Sequence, residues 1–228
     1  MSEPMQRILH LYRERAGDPG FWAEPINALT NVSFLIAAGL ALRLAMRRKA
    51  ATPITMTLIL LAGVIGIGSF IFHTAAGPVT MWVDVIPIAL FQVLFLWLVC
   101  RRMLELNEWM SAGMIAVVLG LSFALMPIRQ PLNGSLFYVP SLVAMLLLGG
   151  IWTAKGTVER FVLLGAAACF GLAITARAVD WDVPWSIGSH FFWHLLNGVV
   201  VYLGLRAWIV FVANKSKGQN PSLPLPAR

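Results

Sequence analysis

The stretch PITMTLILLAGVIGIGSFIFHTAAGPVTMWVDVIPIALFQVLFLWLVC, residues 53 to 100, carries one charged side chain, Asp84. Two apolar runs, 54–74 and 80–100, flank Gly77-Pro78, and each reaches the roughly 20 residues that a helix needs to cross a ~30 Å hydrocarbon core. Pro53 can open the first run as a helix start, and the Gly-Pro pair separates it from the second. Outward from these two, the same pattern recurs at 26–46, 110–127, 136–153, 160–179 and 189–212, with Pro127 and Pro131 closing the fourth span. The expected fold is therefore an all-α polytopic membrane protein, a seven-transmembrane-helix bundle. One membrane domain takes up the whole chain, 1–228. Its N-terminal tail is 1–25 and its C-terminal tail 213–228, the latter ending in the disordered composition KSKGQNPSLPLPAR.

Composition agrees. The chain is 59% hydrophobic and 12% charged, where a soluble domain has about 25% charged residues. The net charge of +7 does not imply a nucleic-acid partner, because membrane proteins collect Lys and Arg in their cytoplasmic loops. Alternating the sides of the spans places Arg43, Arg47, Arg48, Lys49, Arg101, Arg102, Lys155, Arg160, Arg206, Lys215, Lys217 and Arg228 together. Arg7, Arg13, Arg15, Arg129 and Arg177 fall on the other side. The positive-inside rule then puts the C-terminus in the cytoplasm and the N-terminus outside. The first span ends in Arg47-Arg48-Lys49 without a small-residue cleavage pattern, so it reads as a retained helix. Cys100 and Cys169 have no paired spacing and suggest neither a disulfide nor a thiolate metal site.

Within this frame a few polar residues share one level. The second span ends at His73, with Ser69 four residues before it on the same face. The third starts near Asp84, and the seventh starts with GSHFFWHLLNG, 188–198, which sets His190 and His194 one helical turn apart. All lie toward the outer end of the bundle. An ionisable group inside a span costs about 2.5–3.5 kcal/mol on insertion scales, so Asp84 needs compensation. Zinc would supply it. Three neutral imidazoles leave a tetrahedral ion one open position, where the pKa of water falls to about 7. Asp84 is then placed for general acid–base work, and Ser69 for donation to an oxyanion. Plainer readings stand beside these: single histidines as interhelical hydrogen bonders, Ser69 as a small packing residue near Gly63, Gly66 and Gly68, and Phe191, Phe192 and Trp193 as packing or interfacial aromatics. His10 lies in the tail, solvated. A haem carrier would need His73 opposite one member of the pair, since two residues on one helix cannot flank a haem.

Three blocks, EPINALTNVSF from Glu24, GSFIFHTA from Gly68 with DVIP from Asp84, and HFFWHLLNG from His190, resemble the alkaline ceramidases. That family sits in a seven-span metal-hydrolase superfamily with the adiponectin and progestin receptors. The resemblance implies a membrane-embedded zinc amidase that cleaves the N-acyl bond of ceramide or a similar lipid to a sphingoid base and a fatty acid. It makes His73, His190 and His194 the zinc ligands, Asp84 the proton shuttle and Ser69 the oxyanion stabiliser. It also implies calcium near the N-terminus, held by Glu14 and Glu24. Leu11 and Ala16 stand where the family has an aspartate and an asparagine, with Asp18, Asp180 and Asp182 as alternatives. Short loops and a compact tail look like the bacterial branch, implying the inner membrane, a lipid substrate and no obligate protein partner. A receptor with a structural zinc and a hydrolase of non-sphingolipid amides or esters are the alternative functions.

Overall fold

The computed structural model describes residues 3–128, 130, 132–155 and 158–218. Arg129, Pro131 and residues 219–228 with Arg228, which enter the orientation count, the fourth-span stop and the C-terminal tail above, lie outside the described residues. The described residues are mostly helical, with no strand among them. In order, the helices are α1 (Glu3–Leu9), α2 (Pro25–Thr30), α3 (Val32–Arg48), α4 (Pro53–Thr74), α5 (Pro78–Leu98), α6 (Glu108–Leu125), α7 (Val139–Ala154), α8 (Val162–Ala178) and α9 (His190–Ser216). A π-helical turn, Val99–Met103, prolongs α5, and a 3-10 turn, Ser135–Tyr138, leads into α7.

Among the described residues six stretches are long and apolar enough to cross a membrane: Pro25–Arg48, Pro53–Thr74, Pro78–Met103, Glu108–Leu125, Ser135–Ala154 and His190–Ser216. The seventh expected span is the shorter α8 of 17 residues, about 25 Å long, which packs against both α7 and α9. Their outer faces carry exposed apolar side chains, Leu60 at 68% and Trp109 at 88%, as suits an acyl-chain surrounding. The chain is an integral membrane protein.

The helix ends follow local chemistry. Thr52 caps α4, its hydroxyl accepting from Thr55 N at 3.2 Å just before Pro53. Asn107 caps α6 in the same way, with Met110 N at 2.8 Å. Lys49 ends α3 in the left-handed conformation at φ 55°. The first span is broken at Asn31 into α2 and α3. The last helix runs beyond 212 to Ser216, so the expected C-terminal tail starts later than 213.

Interior packing relies on small residues, because lipid offers no hydrophobic drive for helices to associate. Ala37, Ala41 and Ala45 form a fully buried stripe on α3, and α9 runs through the middle against α3, α4 and α8. Two glycines set the register of the functional end. Gly198 lets α9 press on Ser33 of α3, whose hydroxyl donates to the His194 carbonyl at 2.8 Å. Gly68 lets α4 touch the Val83 carbonyl of α5, which an added Cβ would meet at 2.4 Å. Pro87 has no N–H, so it leaves that same Val83 carbonyl without its helical donor.

The N-terminal tail departs from expectation. Residues 3–24 form α1 and a strap that folds onto the bundle, with Leu9, Arg15 and Glu24 all buried. Arg13 N donates to Asp180 Oδ2 at 2.8 Å, and Glu14 accepts from Ile26 N and Asn27 N, both at 2.8 Å, capping α2.

Candidate metal centre

The strap, the end of α4 and the start of α9 converge. His73 lies in the last turn of α4, before Ala75 and Gly77-Pro78 end the helix. His190 opens α9, and its N–H and that of Ser189 both donate to Asp180 Oδ1 at 2.7 Å, so a buried carboxylate meets the positive end of the helix. His194 follows one turn later. Ring centroids are 4.7 Å apart for His73–His194 and His190–His194 and 5.3 Å for His73–His190. One nitrogen from each ring lies within 4.8 Å of the others, and all three residues are buried.

Two of the rings have their tautomer set. His73 Nδ1 lies 2.6 Å from Glu24 Oε2, an acceptor when ionised, so Nδ1 carries the hydrogen and Nε2 the lone pair. His194 Nδ1 lies 3.0 Å from Thr30 Oγ1, which is also 2.8 Å from the Ile26 carbonyl. The single hydroxyl hydrogen goes to the carbonyl, so His194 must donate and again presents Nε2. His190 stacks on Tyr12 at 3.7 Å, and its Nδ1 is buried without a partner among the described residues. Three imidazoles, two of them with outer-sphere oxygen partners, fit a zinc-type ion.

Asp84 and Ser69 are brought to the same place by the Gly68–Val83 contact. Ser69 and His73 on α4 both lie within interaction range of the Asp84 side chain on α5. Asp84 Oδ1 is buried with no hydrogen-bond partner among the described residues.

Glu14 and Glu24 both lie on the strap, but protein donors engage their oxygens. Glu14 caps α2, and burial raises its pKa against those two N–H groups. Glu24 accepts from Arg15 Nε at 2.6 Å and Asn27 Nδ2 at 3.0 Å, besides His73. Burial raises the Glu24 pKa, but the bond and charge of His73, then Arg15 and Asn27, outweigh it and hold the group below the ordinary carboxylate value. Asp18 Oδ1 accepts from Gly20 N at 2.7 Å, Asp180 caps α9, and Asp182 is exposed.

Four residues that sequence reasoning did not place in the site belong to it: Tyr12, Arg15, Thr30 and Tyr138. Thr30 lies one turn after Asn27 in the block EPINALT, and that spacing is a usable signal. The strap residues offered none. Burial pushes the Tyr12 phenol up, so its ring packs on His190 as a neutral group.

Beside the centre an apolar cavity of about 170 Å³ runs between α5, α7, α8 and α9. Tyr138 and Trp193 form its wall nearest the histidines, and Phe91, Phe95, Met145 and Phe170 lie deeper. Gln92 donates to Ser141 at 2.8 Å across it.

Fold and centre together define a class: a helical membrane protein with a buried triad of histidines able to hold a metal ion beside an apolar cavity. A family model, Ceramidase, matches residues 20–174, about two thirds of the chain, and the chain belongs to that family. Comparison with curated proteins gave no match. The matched segment contains Glu24, Ser69, His73 and Asp84 and ends before His190 and His194, which the fold brings to them independently. Membership implies hydrolase activity on a lipid in the membrane.

Proposed function

We propose that the protein is a zinc-dependent amidase that hydrolyses the N-acyl bond of ceramide or a close N-acyl lipid to a free amine and a fatty acid. The observation that carries this is a buried, partner-free carboxylate oxygen, Asp84 Oδ1, beside three histidines whose ring nitrogens cluster within 4.8 Å. His73, His190 and His194 would hold the ion, and zinc bound there supplies Lewis-acid polarisation of the acyl carbonyl and a lowered pKa for water.

The side chains divide the remaining work. Asp84 takes the proton from the attacking water and returns it to the departing nitrogen, which is a poor leaving group until protonated. Ser69 has one hydrogen, which it can give to the ionised Asp84 carboxylate. Once Asp84 is protonated it can donate to Ser69 Oγ, which frees that hydrogen for the oxyanion. The two residues therefore act as a coupled pair, with the serine available when negative charge develops on the substrate. The apolar cavity takes the first part of the acyl chain, being comparable in size to a ~150 Å³ cavity that holds a six-carbon ring. The basic ends Arg47-Arg48-Lys49 and Arg101-Arg102 lie on helix ends opposite the histidines, which supports an outward-facing site with the N-terminus outside.

The test is elemental analysis of detergent-purified protein together with hydrolysis of a fluorescent ceramide before chelation, after it and after zinc return. About one zinc per chain, with activity lost and regained, is expected. His194→Ala should lose metal and turnover, whereas Asp84→Asn should keep metal and lose turnover. Turnover retained in both variants refutes the assignment. Zinc without turnover of any N-acyl lipid would favour the receptor reading.

A further inference from the structure

Arg15 is 2% exposed, and its guanidinium is enclosed by four oxygens. Nε donates to Glu24 Oε1 at 2.6 Å, and one terminal nitrogen donates to the carbonyls of Asp18 and Gly20 at 2.9 and 3.0 Å. The other terminal nitrogen donates to the carbonyl of His73 at 2.9 Å. One of these acceptors belongs to His73, and a second, Glu24, is bonded to the ring of that same residue. The His73 carbonyl is among those at the end of α4 that have no intrahelical donor, and Arg15 closes it from the strap. Glu24 uses its second oxygen to receive His73 Nδ1 at 2.6 Å. One planar fork thus grips the backbone of His73 directly and its ring through Glu24. Because guanidinium donors are fixed in a plane, the two grips are coupled: turning Glu24 away from the ring distorts the Nε bond as well. A carboxylate and three carbonyls converging on one point also form the kind of oxygen set that a hard cation accepts.

We propose that Arg15 is a positioning residue of the metal centre, a built-in cation that fixes the place and tautomer of His73 and closes the strap's oxygen cage without a second bound ion. The proposal rests on the reading of the three histidines as zinc ligands. Glu24 is the intermediary, so Arg15 never touches the metal or the substrate.

The experiment measures zinc affinity of the full-length protein in detergent, by competition with a chromophoric chelator, for wild type, Arg15→Met, Glu24→Gln and the double variant. Outer-sphere substitutions at metal-ligating histidines weaken binding about 10- to 100-fold, and that loss is expected for each single variant. If Arg15 acts through Glu24, the double variant binds about as weakly as the worse single one; fully additive losses would make Arg15 an independent structural contact and overturn the proposal. Calcium should leave wild-type zinc affinity unchanged, and a calcium-dependent rise would also overturn it. Should Arg15→Met not accumulate in the membrane, Arg15→Lys carries the test. Its point charge cannot reproduce the fork, so wild-type affinity there refutes the role. A wild type that binds no zinc fails the metal reading itself, whereas zinc-binding wild type with unaffected variants fails only this inference.

Discussion

Gly68→Ala is the most direct probe of how the fold aligns the reacting groups. The new methyl would sit 2.4 Å from the Val83 carbonyl oxygen, where ordinary contact begins near 3.4 Å. The neighbour is backbone, already deprived of its helical donor by Pro87, so it cannot swing aside as a side-chain tip would. α4 and α5 must separate by about 1 Å, and a displacement of that size can cost about 10²-fold in rate when it lies between reacting groups. Ser69 and His73 ride on α4 and Asp84 on α5, so the separation opens the proton-transfer geometry. All three histidines stay on α4 and α9, and zinc should be retained. Overpacking of this kind costs about 1–3 kcal/mol of stability, which the thermal midpoint in detergent will register. The assay is turnover of fluorescent ceramide with zinc content measured in parallel, and kcat should fall far more than KM rises. Gly63→Ala is the control on the same helix. Its Cβ would meet nothing within 4 Å, and alanine is the better helix former by about 1 kcal/mol. Wild-type kcat in Gly68→Ala would refute the claim that α4–α5 contact sets the catalytic distance.

Ser69→Ala should keep zinc and lower turnover about 10²–10³-fold, the usual cost of one oxyanion donor; an unchanged rate would return Ser69 to a packing role. Ala144 lines the apolar cavity, so Ala144→Phe should depress hydrolysis of long-acyl substrates more than short ones, whereas equal loss on both would place the chain elsewhere. Burial raises the Glu24 pKa but His73, Arg15 and Asn27 lower it further, so its stabilisation is complete above the unfolded value of about 4.3 and is lost as pH falls through the lower folded value. The thermal midpoint of metal-free wild type should therefore drop in that acid window, and Glu24→Gln should lack that portion of the drop.

Apolar length and Gly-Pro punctuation located six spans and α8, because both signals depend on residues adjacent in sequence. The His190–His194 pair was legible for the same reason, being a one-turn spacing on one helix. His73 could be joined to it by counting alternate crossings and by the family resemblance, not by spacing. The strap was not legible. Arg15 reaches the His73 carbonyl across 58 residues, and Arg13 reaches Asp180 across 167, so nothing near them in sequence marks them as part of a centre. Glu24 was singled out by the resemblance as a calcium ligand, but residue type does not say whether it meets an ion, an imidazole or a guanidinium; in the structure it meets the last two. The interruption at Asn31 has no Pro or Gly beside it, so it left no mark on the first span, and the extension of α9 to Ser216 crosses Asn214 and Lys215, so composition ended that helix early. Gly68 read as one of several small residues until the Val83 carbonyl supplied its reason.

At the functional end of the bundle most buried polar groups are closed. Arg15 has four oxygens, Asp180 three backbone N–H donors, and Glu14 two. Asn27 Oδ1, Asn31 Oδ1 and His190 Nδ1 are also without partners, but Asp84 Oδ1 is the one such atom among the described residues that belongs to a carboxylate. An open carboxylate at membrane depth costs free energy, and a purely structural site would be improved by removing it. Asp84→Asn retains an oxygen to accept from Ser69 and discards the charge, so the metal-free variant should unfold at a higher temperature than wild type, by about 0.5–2 kcal/mol of stability, while turnover is lost. A lower midpoint would make Asp84 a structural ion held by neighbours, and the proton-transfer role would have to be sought in another group. A higher midpoint with zinc intact and no hydrolysis would separate stability from chemistry at a single residue, which a receptor with a structural zinc gives no reason to expect.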